Sequence, residues 1–203
     1  MLQNHYEQEC WANQELVMGI DEAGRGPLCG PLVVACCVLP LGYQNEMIND
    51  SKKLSEKKRK LAFKQIIQDA LYYNWRIVEP KVIDSLNIYA ATKQAMLELS
   101  QEYPDVSLVL TDAMPLHSAA VIPLVKGDAL SISIAAASIL AKVLRDHIMM
   151  GYAILYPEYH YEKHKGYPTK LHLALLEEYG ISDIYRLSYS PCKGKKMREK
   201  LHK

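Results

Sequence analysis

Gly19-Ile20-Asp21-Glu22-Ala23-Gly24-Arg25-Gly26-Pro27 brings two carboxylates to the end of an apolar run and sets Gly-Arg-Gly directly after them. Carboxylate oxygens hold hard divalent cations. Bare glycine backbone lets a ligand come close, and a guanidinium grips phosphate. Acid beside phosphate-binding chemistry is what metal-dependent phosphodiester cleavage requires. Two more acids stand in comparable places: Asp112 ends the apolar run Val106-Ser107-Leu108-Val109-Leu110-Thr111-Asp112, and Asp128 follows a short one in Val125-Lys126-Gly127-Asp128. Taken singly, an acid at a strand end is more often the start of a turn. Taken together on neighbouring strands, such acids form a cluster that repels itself unless cations neutralise it. Strand parity adds a condition. Adjacent strand residues face opposite ways, so Asp21 and Glu22 both reach one ion only if the strand ends or distorts there, or if Glu22 acts through its main-chain carbonyl.

The elements that must position these residues follow from the periodicity. Residues 15–40 read as a hairpin whose second run, Pro31 to Val38, is continuously apolar, as in a strand covered on both faces. Ser55 is placed to cap a helix through Leu61, Ile66 and Ala70. Tyr72 to Val78 suits a strand, and Lys81 to Tyr103 suits helices with Asn87 in a connecting turn. Val106 to Asp112 is a buried strand, and Ile122 to Lys126 a short one. Ser131 to Met150 is a long alanine-rich helix, and residues 170–180 form another, stopped by Gly180. Strands alternating with helices give an α/β fold, and the opening hairpin makes the sheet mixed.

The 203 residues suffice for one well-cored domain, with 49% hydrophobic and 23% charged residues. No apolar run approaches a membrane span, and the polar N-terminus is no signal peptide. The five cysteines show no CxxC spacing, which suits thiols used as small apolar fillers in a reducing cytoplasm. Net charge is only +1, but basic residues cluster at Lys52-Lys53, at Lys57 to Lys60, and in the tail from Lys193 to Lys203. Alone, each cluster is a solvated face; phosphate neutralisation gains weight if the acids are catalytic. His117, His147, His160, His164 and His172 show no zinc-ligand spacing, and solvated or capping roles are expected for them. Tyr152, Tyr156, Tyr159 and Tyr161 are read as packing residues rather than as a base-stacking platform.

With these motifs in this order, the chain resembles the type 2 ribonucleases H, the ribonuclease HII family. The resemblance runs from about residue 15 to 190. Its elements are Asp21-Glu22 before Gly24-Arg25-Gly26, Asp112 in Leu110-Thr111-Asp112-Ala113-Met114, and Asp128 in Lys126-Gly127-Asp128. With them come the helix Ser133 to Asp146, Asp50-Ser51-Lys52-Lys53-Leu54-Ser55, Ile83 to Ile88, and His164-Lys165-Gly166-Tyr167-Pro168-Thr169. The resemblance implies a ribonuclease H fold: a mixed sheet flanked by helices, with residues from about 150 to 203 as a helical, substrate-binding C-terminal part of a single domain. It implies that Asp21, Glu22, Asp112 and Asp128 hold two Mg²⁺ or Mn²⁺ ions and form the catalytic set. Asp146, the rival for fourth ligand, is then structural and paired with a base. Gly24, Arg25 and Gly26 would sense the 2′-hydroxyl that marks a ribonucleotide, with Tyr167 against the next deoxyribose. Lys52 and Lys53 would meet phosphates, with Ser51 and Lys165 weaker candidates.

The activity so implied is metal-dependent hydrolysis of the RNA strand of RNA–DNA hybrids. It extends to incision of duplex DNA 5′ of a lone ribonucleotide, leaving 3′-hydroxyl and 5′-phosphate ends. A cytoplasmic monomer with no membrane partner is expected. The sister type, ribonuclease HIII, has a sizeable N-terminal substrate-binding domain, and fewer than 20 residues precede Gly19 here. A nucleic-acid-binding module with merely structural carboxylates is the rival from another class. The chain departs from the family's common His-Arg-x-Ser-Phe-x-Pro pattern at Tyr185-Arg186-Leu187-Ser188-Tyr189-Ser190-Pro191, with tyrosine in place of both histidine and phenylalanine. Cys29 stands where a small residue such as alanine is usual, and the tail shows no clamp-binding motif.

Overall fold

The computed structural model describes residues 4–49, 51, 54–116 and 120–198. Five strands, β1 (Leu16–Ala23), β2 (Leu32–Val38), β3 (Tyr72–Val78), β4 (Val106–Asp112) and β5 (Val121–Leu124), form one sheet in the order β3-β2-β1-β4-β5. β1, β2 and β3 pair antiparallel, while β4 runs parallel to β1 and β5 parallel to β4. The sheet is therefore mixed, as the opening hairpin requires.

Helices cover both faces. α2 (Glu56–Asp69) and the long α5 (Ile132–Leu155) lie on one, with Ala35, Cys37, Ala62, Ile66 and the run from Ala135 to Ala137 in a common core. α3 (Pro80–Leu86) and α4 (Ile88–Ser100) lie on the other, where Met18, Ile20, Val34, Cys36, Ile83, Ala95, Met96 and Leu99 meet. β2 is buried at every position because both faces are covered, and its adjacent Cys36 and Cys37 enter opposite cores. All five cysteines are free and buried.

Small residues let α5 lie close to β1. A methyl group placed on Gly19 would fall 2.0 Å from the main-chain carbon of Ser133, so the helix crosses the strand on bare backbone. Ser131 caps α5 by accepting from Ile134 N at 3.1 Å. Ser55 and Asn87 cap α2 and α4 in the same way, through Lys58 N and Ala90 N. α5 continues to Leu155, past the expected end at Met150, because its last turns pack on a further cluster. There Leu28, Cys29 and Met149 meet Tyr159, Tyr161, Leu176, Ile184, Tyr185 and Cys192. α6 (Tyr161–His164) and α7 (Lys170–Tyr179) frame that cluster, and Gly180 ends α7. The tyrosine run is packing, with the rings of Tyr159 and Tyr161 fully buried and stacked at 5.3 Å.

The polar N-terminus carries no periodic signal, yet forms α1 (His5–Ala12). Its Glu7 is buried at the start of α5, accepting from Ser133 N at 3.2 Å and from the Ser131 hydroxyl. A carboxylate there meets unpaired N–H groups and the positive end of the helix dipole.

Candidate active site

β1 and β4 run side by side with their carboxyl ends together. Thr111 pairs with Ile20, so the next residues along, Asp112 and Asp21, are neighbours on one face of the sheet. Asp21 is 3% exposed, bonded to Ser138 on α5 and accepting from Glu22 N at 2.7 Å. Burial, then the charges of Glu22 and Asp112, hold its carboxyl well above the usual range. Asp112 lies half-buried at the end of β4, and its Oδ1 accepts from Gly127 N at 2.9 Å. It therefore tethers the 3-10 turn Gly127–Ala129, in which Asp128 is 5% exposed.

Glu22 follows Asp21 along β1, and its charge is the first of those that raise the Asp21 carboxyl. β1 neither ends nor distorts at the pair: Asp21 opposes Ala35 and Glu22 opposes Val34 in unbroken register. The Glu22 side chain therefore faces away from Asp21, and Arg25 Nη1 lies 3.5 Å from its Oε1. Among the described residues, no three His, Cys, Asp or Glu side chains converge into a group that encloses an ion. The donor set nevertheless fits hard cations: oxygen ligands only, two on adjacent strands, and a buried carboxylate pressed by like charge.

The Gly-Arg-Gly turn follows directly on the end of β1. Gly24 has φ +106°, and a methyl group on it would lie 2.2 Å from Nε of Arg145, so glycine is required for both conformation and space. Gly26 is exposed, and a side chain starting from it would meet the Tyr167 ring at 3.7 Å. The structure thus brings Gly24, Arg25, Gly26 and Tyr167 together, although 140 residues of sequence separate them. Lys142 Nζ and the Arg145 guanidinium each lie 5.7 Å from the centre of that ring.

Lys52 and Lys53 lie outside the described residues. The residues that flank them are fixed, since Arg59 donates to Ser51 O and to Leu54 O at 2.9 Å each. The Ser51 hydroxyl meets that of Ser138 at 2.9 Å, tying this loop to the partner of Asp21. Asp146 is paired with Lys142 (2.8 Å) and Arg59 (3.6 Å), the basic partners expected of a structural acid.

Two histidines correct the sequence expectation. His164 and His172 are buried, not solvated, and their rings stack at 4.2 Å. Gly166 N donates to His164 Nδ1, so its Nε2–H serves Tyr159 O at 2.8 Å. The Nδ1–H of His172 serves Tyr167 O at 2.9 Å, and its Nε2 accepts from the Tyr185 hydroxyl at 2.7 Å. Both rings are therefore held neutral under the turn that carries Tyr167. Burial, then the neighbouring His164, brings His172 down to about 4. An unfolded chain takes up that proton near 6.5. Between these values the unfolded state binds more protons, so stability is complete above pH 6.5 and falls as the pH drops towards 4. The loss expected at pH 4 is about 3 kcal/mol. Urea melts across this range should show it, and His172→Gln should flatten the slope; an unchanged slope would exclude His172 as the source.

Arg145, Arg186 and Tyr189 escaped the sequence reading as site residues. Arg145 and Arg186 are wholly buried and bond main-chain carbonyls of the segment from Arg25 to Pro31. A buried arginine among glycines and prolines is a signal of backbone clamping, but only tertiary structure shows which backbone.

Comparison with known proteins gives the family and the fold. The family model for ribonuclease HII matches residues 18–192. The chain is 49% identical to ribonuclease HII of Ruminiclostridium cellulolyticum over 176 residues, covering 85% of this chain and 69% of that protein. It is 50% identical to ribonuclease HII of Listeria monocytogenes over 183 residues, covering 89% and 70%. The crystal structure of ribonuclease H2 from Pyrococcus horikoshii superposes with a TM-score of 0.75 at 27% identity, covering 87% of this chain and 95% of that one. Carboxylates at the ends of β1 and β4, a Gly-Arg-Gly turn and these matches lead to one assignment: the chain belongs to the ribonuclease HII family, as an endoribonuclease of the ribonuclease H kind.

Proposed function

We propose that this endoribonuclease, besides acting on RNA–DNA hybrids, incises duplex DNA on the 5′ side of a single embedded ribonucleotide, leaving 3′-hydroxyl and 5′-phosphate ends. The observation that carries the proposal is the meeting of Gly26 and Tyr167 beside the Asp21–Asp112 pair. One wall offers main-chain groups to a sugar edge, and the other offers a flat ring to the next sugar. That division suits a junction between one ribose and the deoxyribose that follows it, where the 2′-hydroxyl is the sole mark of RNA.

The carboxylates of Asp21, Asp112 and Asp128, with the main-chain carbonyl of Glu22, would hold two divalent cations, Mg²⁺ or Mn²⁺; the family generally uses divalent metals. When bound, the cations supply Lewis-acid stabilisation of the charge that develops on the attacking and leaving oxygens. The chain itself selects and orients the substrate. Gly24, Arg25 and Gly26 receive the ribose, and Tyr167 packs on the following deoxyribose. Lys52, Lys53 and Lys142 meet phosphates. Ser138 orients the Asp21 carboxylate. The whole chain acts as one catalytic unit, with residues from about 150 onward lending the substrate wall, and works as a cytoplasmic monomer.

The test uses a DNA duplex carrying one ribonucleotide, with Mg²⁺, with Mn²⁺ and with chelator. Incision immediately 5′ of the ribonucleotide, abolished by chelator, is the expected result. Cleavage confined to duplexes with runs of several ribonucleotides would overturn the single-ribonucleotide reading, and cleavage in chelator would overturn the metal reading.

A further inference from the structure

The carbonyl of Arg25 is held twice from the C-terminal segment. Arg186 Nη1 donates to it at 3.2 Å, and the Tyr189 hydroxyl donates to it at 2.7 Å. The same Nη1 donates to Pro27 O at 2.9 Å and to the Tyr189 hydroxyl at 3.1 Å, while Nε and Nη2 both reach Gly30 O. The Tyr189 hydroxyl is thus a relay, accepting from the guanidinium and donating to the carbonyl. The segment is itself fastened. Gly30 N donates to Ile184 O and Arg186 N to Leu28 O, and Asp84 on α3 accepts from Leu187 N and Ser188 N at 2.9 Å each.

A trans peptide points its C=O and its N–H in opposite directions, and no described peptide is cis. Drawing the Arg25 carbonyl inward onto Arg186 and Tyr189 therefore turns the Gly26 N–H outward. Gly26 is exposed on the side where the Tyr167 ring stands. We propose that Arg186 and Tyr189 are positioning residues for substrate specificity: they fix the Arg25–Gly26 peptide so that the Gly26 N–H is presented to the 2′-hydroxyl of the ribonucleotide. The proposal rests on Gly24–Gly26 being the ribose-sensing turn. Arg186 supplies the framework, and Tyr189 adds a hydroxyl where the pattern the chain resembles carries phenylalanine. Tyr189 thus sharpens the discrimination between ribose and deoxyribose in this chain.

Tyr189→Phe removes that hydroxyl and little else. Steady-state cleavage of a duplex with one ribonucleotide gives kcat/KM, and inhibition by the same duplex made wholly of DNA gives Ki. In Tyr189→Phe, kcat/KM should fall by about two- to tenfold, the range spanned by one hydrogen bond, with Ki unchanged. An unchanged kcat/KM, or an equal worsening of kcat/KM and Ki, would overturn the proposal, because a merely structural tyrosine weakens both substrates alike. A wild-type protein that binds the two duplexes equally would instead overturn the ribose-sensing reading beneath it.

Discussion

Asp21→Asn is expected to lower cleavage by about a hundred- to a thousandfold and at the same time to raise the melting temperature. The two effects share one cause. Asp21 is buried beside Asp112 and within the field of Glu22, an arrangement that presses its proton on and costs folding energy. Asparagine has the same shape, still reaches Ser138, and carries no charge. Relief of about 1 kcal/mol corresponds to about 2–4 °C in a chain of this size. A carboxylate kept at such a cost fits the proposed reaction, a conflict between stability and activity common at active sites. Divalent cation supplies the discriminating measurement. Binding to the folded state alone should raise the wild-type melting temperature as concentration rises, and should leave Asp21→Asn nearly unmoved. A variant that melts lower than wild type, or a wild type whose melting ignores Mg²⁺ and Mn²⁺, would contradict this account of the carboxylates.

The sheet and its helices were legible in the sequence because their signals are local. The continuous apolar run in β2, the alanine-rich α5, and the caps Ser55 and Asn87 each reflect burial or hydrogen bonding within a few residues. The positions of Asp21, Asp112 and Asp128 were legible for the same reason, as acids closing apolar runs. What periodicity could not show is which strands are neighbours. That β4 crosses to lie beside β1, and so sets Asp112 against Asp21, depends on long-range packing through α5. Parity already warned that Asp21 and Glu22 diverge, and the unbroken register of β1 with β2 leaves the warning in force. The buried α1 carboxylate Glu7 was illegible, because a lone acid in a polar helix looks solvated until α5 is seen to begin above it. His164 and His172 misled in the same direction. Their spacing excludes zinc but does not reveal a stacked pair bonded to main-chain groups on either side of Tyr167. The backbone contacts of Arg145 and Arg186 belong to the same class of fact: chemistry obvious in type, with partners more than a hundred residues away.

Arg145→Met should be among the most damaging single changes outside the carboxylates. Its guanidinium is fully buried, and its three bonds go to main-chain carbonyls: Nε to Pro31 O (3.0 Å), Nη1 to Lys165 O (3.0 Å) and Nη2 to Cys29 O (3.2 Å). Burial brings its proton affinity down to about 10, so it stays charged, and each bond is charge-assisted. Methionine fills much of the volume but leaves buried carbonyls unmet, at about 1–3 kcal/mol each. A loss of at least about 3 kcal/mol follows, or about 6–12 °C in melting temperature. Arg145→Lys should recover only part, since one ammonium cannot fork to three acceptors spread over two segments. The geometry adds a functional cost beyond stability. Arg145 is the floor under Gly24 and the link between the Gly-Arg-Gly turn and Lys165, two residues before Tyr167. Freed from each other, those two walls would lose the spacing that the proposed reading of the sugar pair requires. Cleavage measured well below the variant's melting transition should therefore still be depressed. A variant that melts low yet cuts a single-ribonucleotide duplex at the wild-type rate in the cold would reduce Arg145 to a support of the fold, and would leave the spacing of the two walls to the backbone alone.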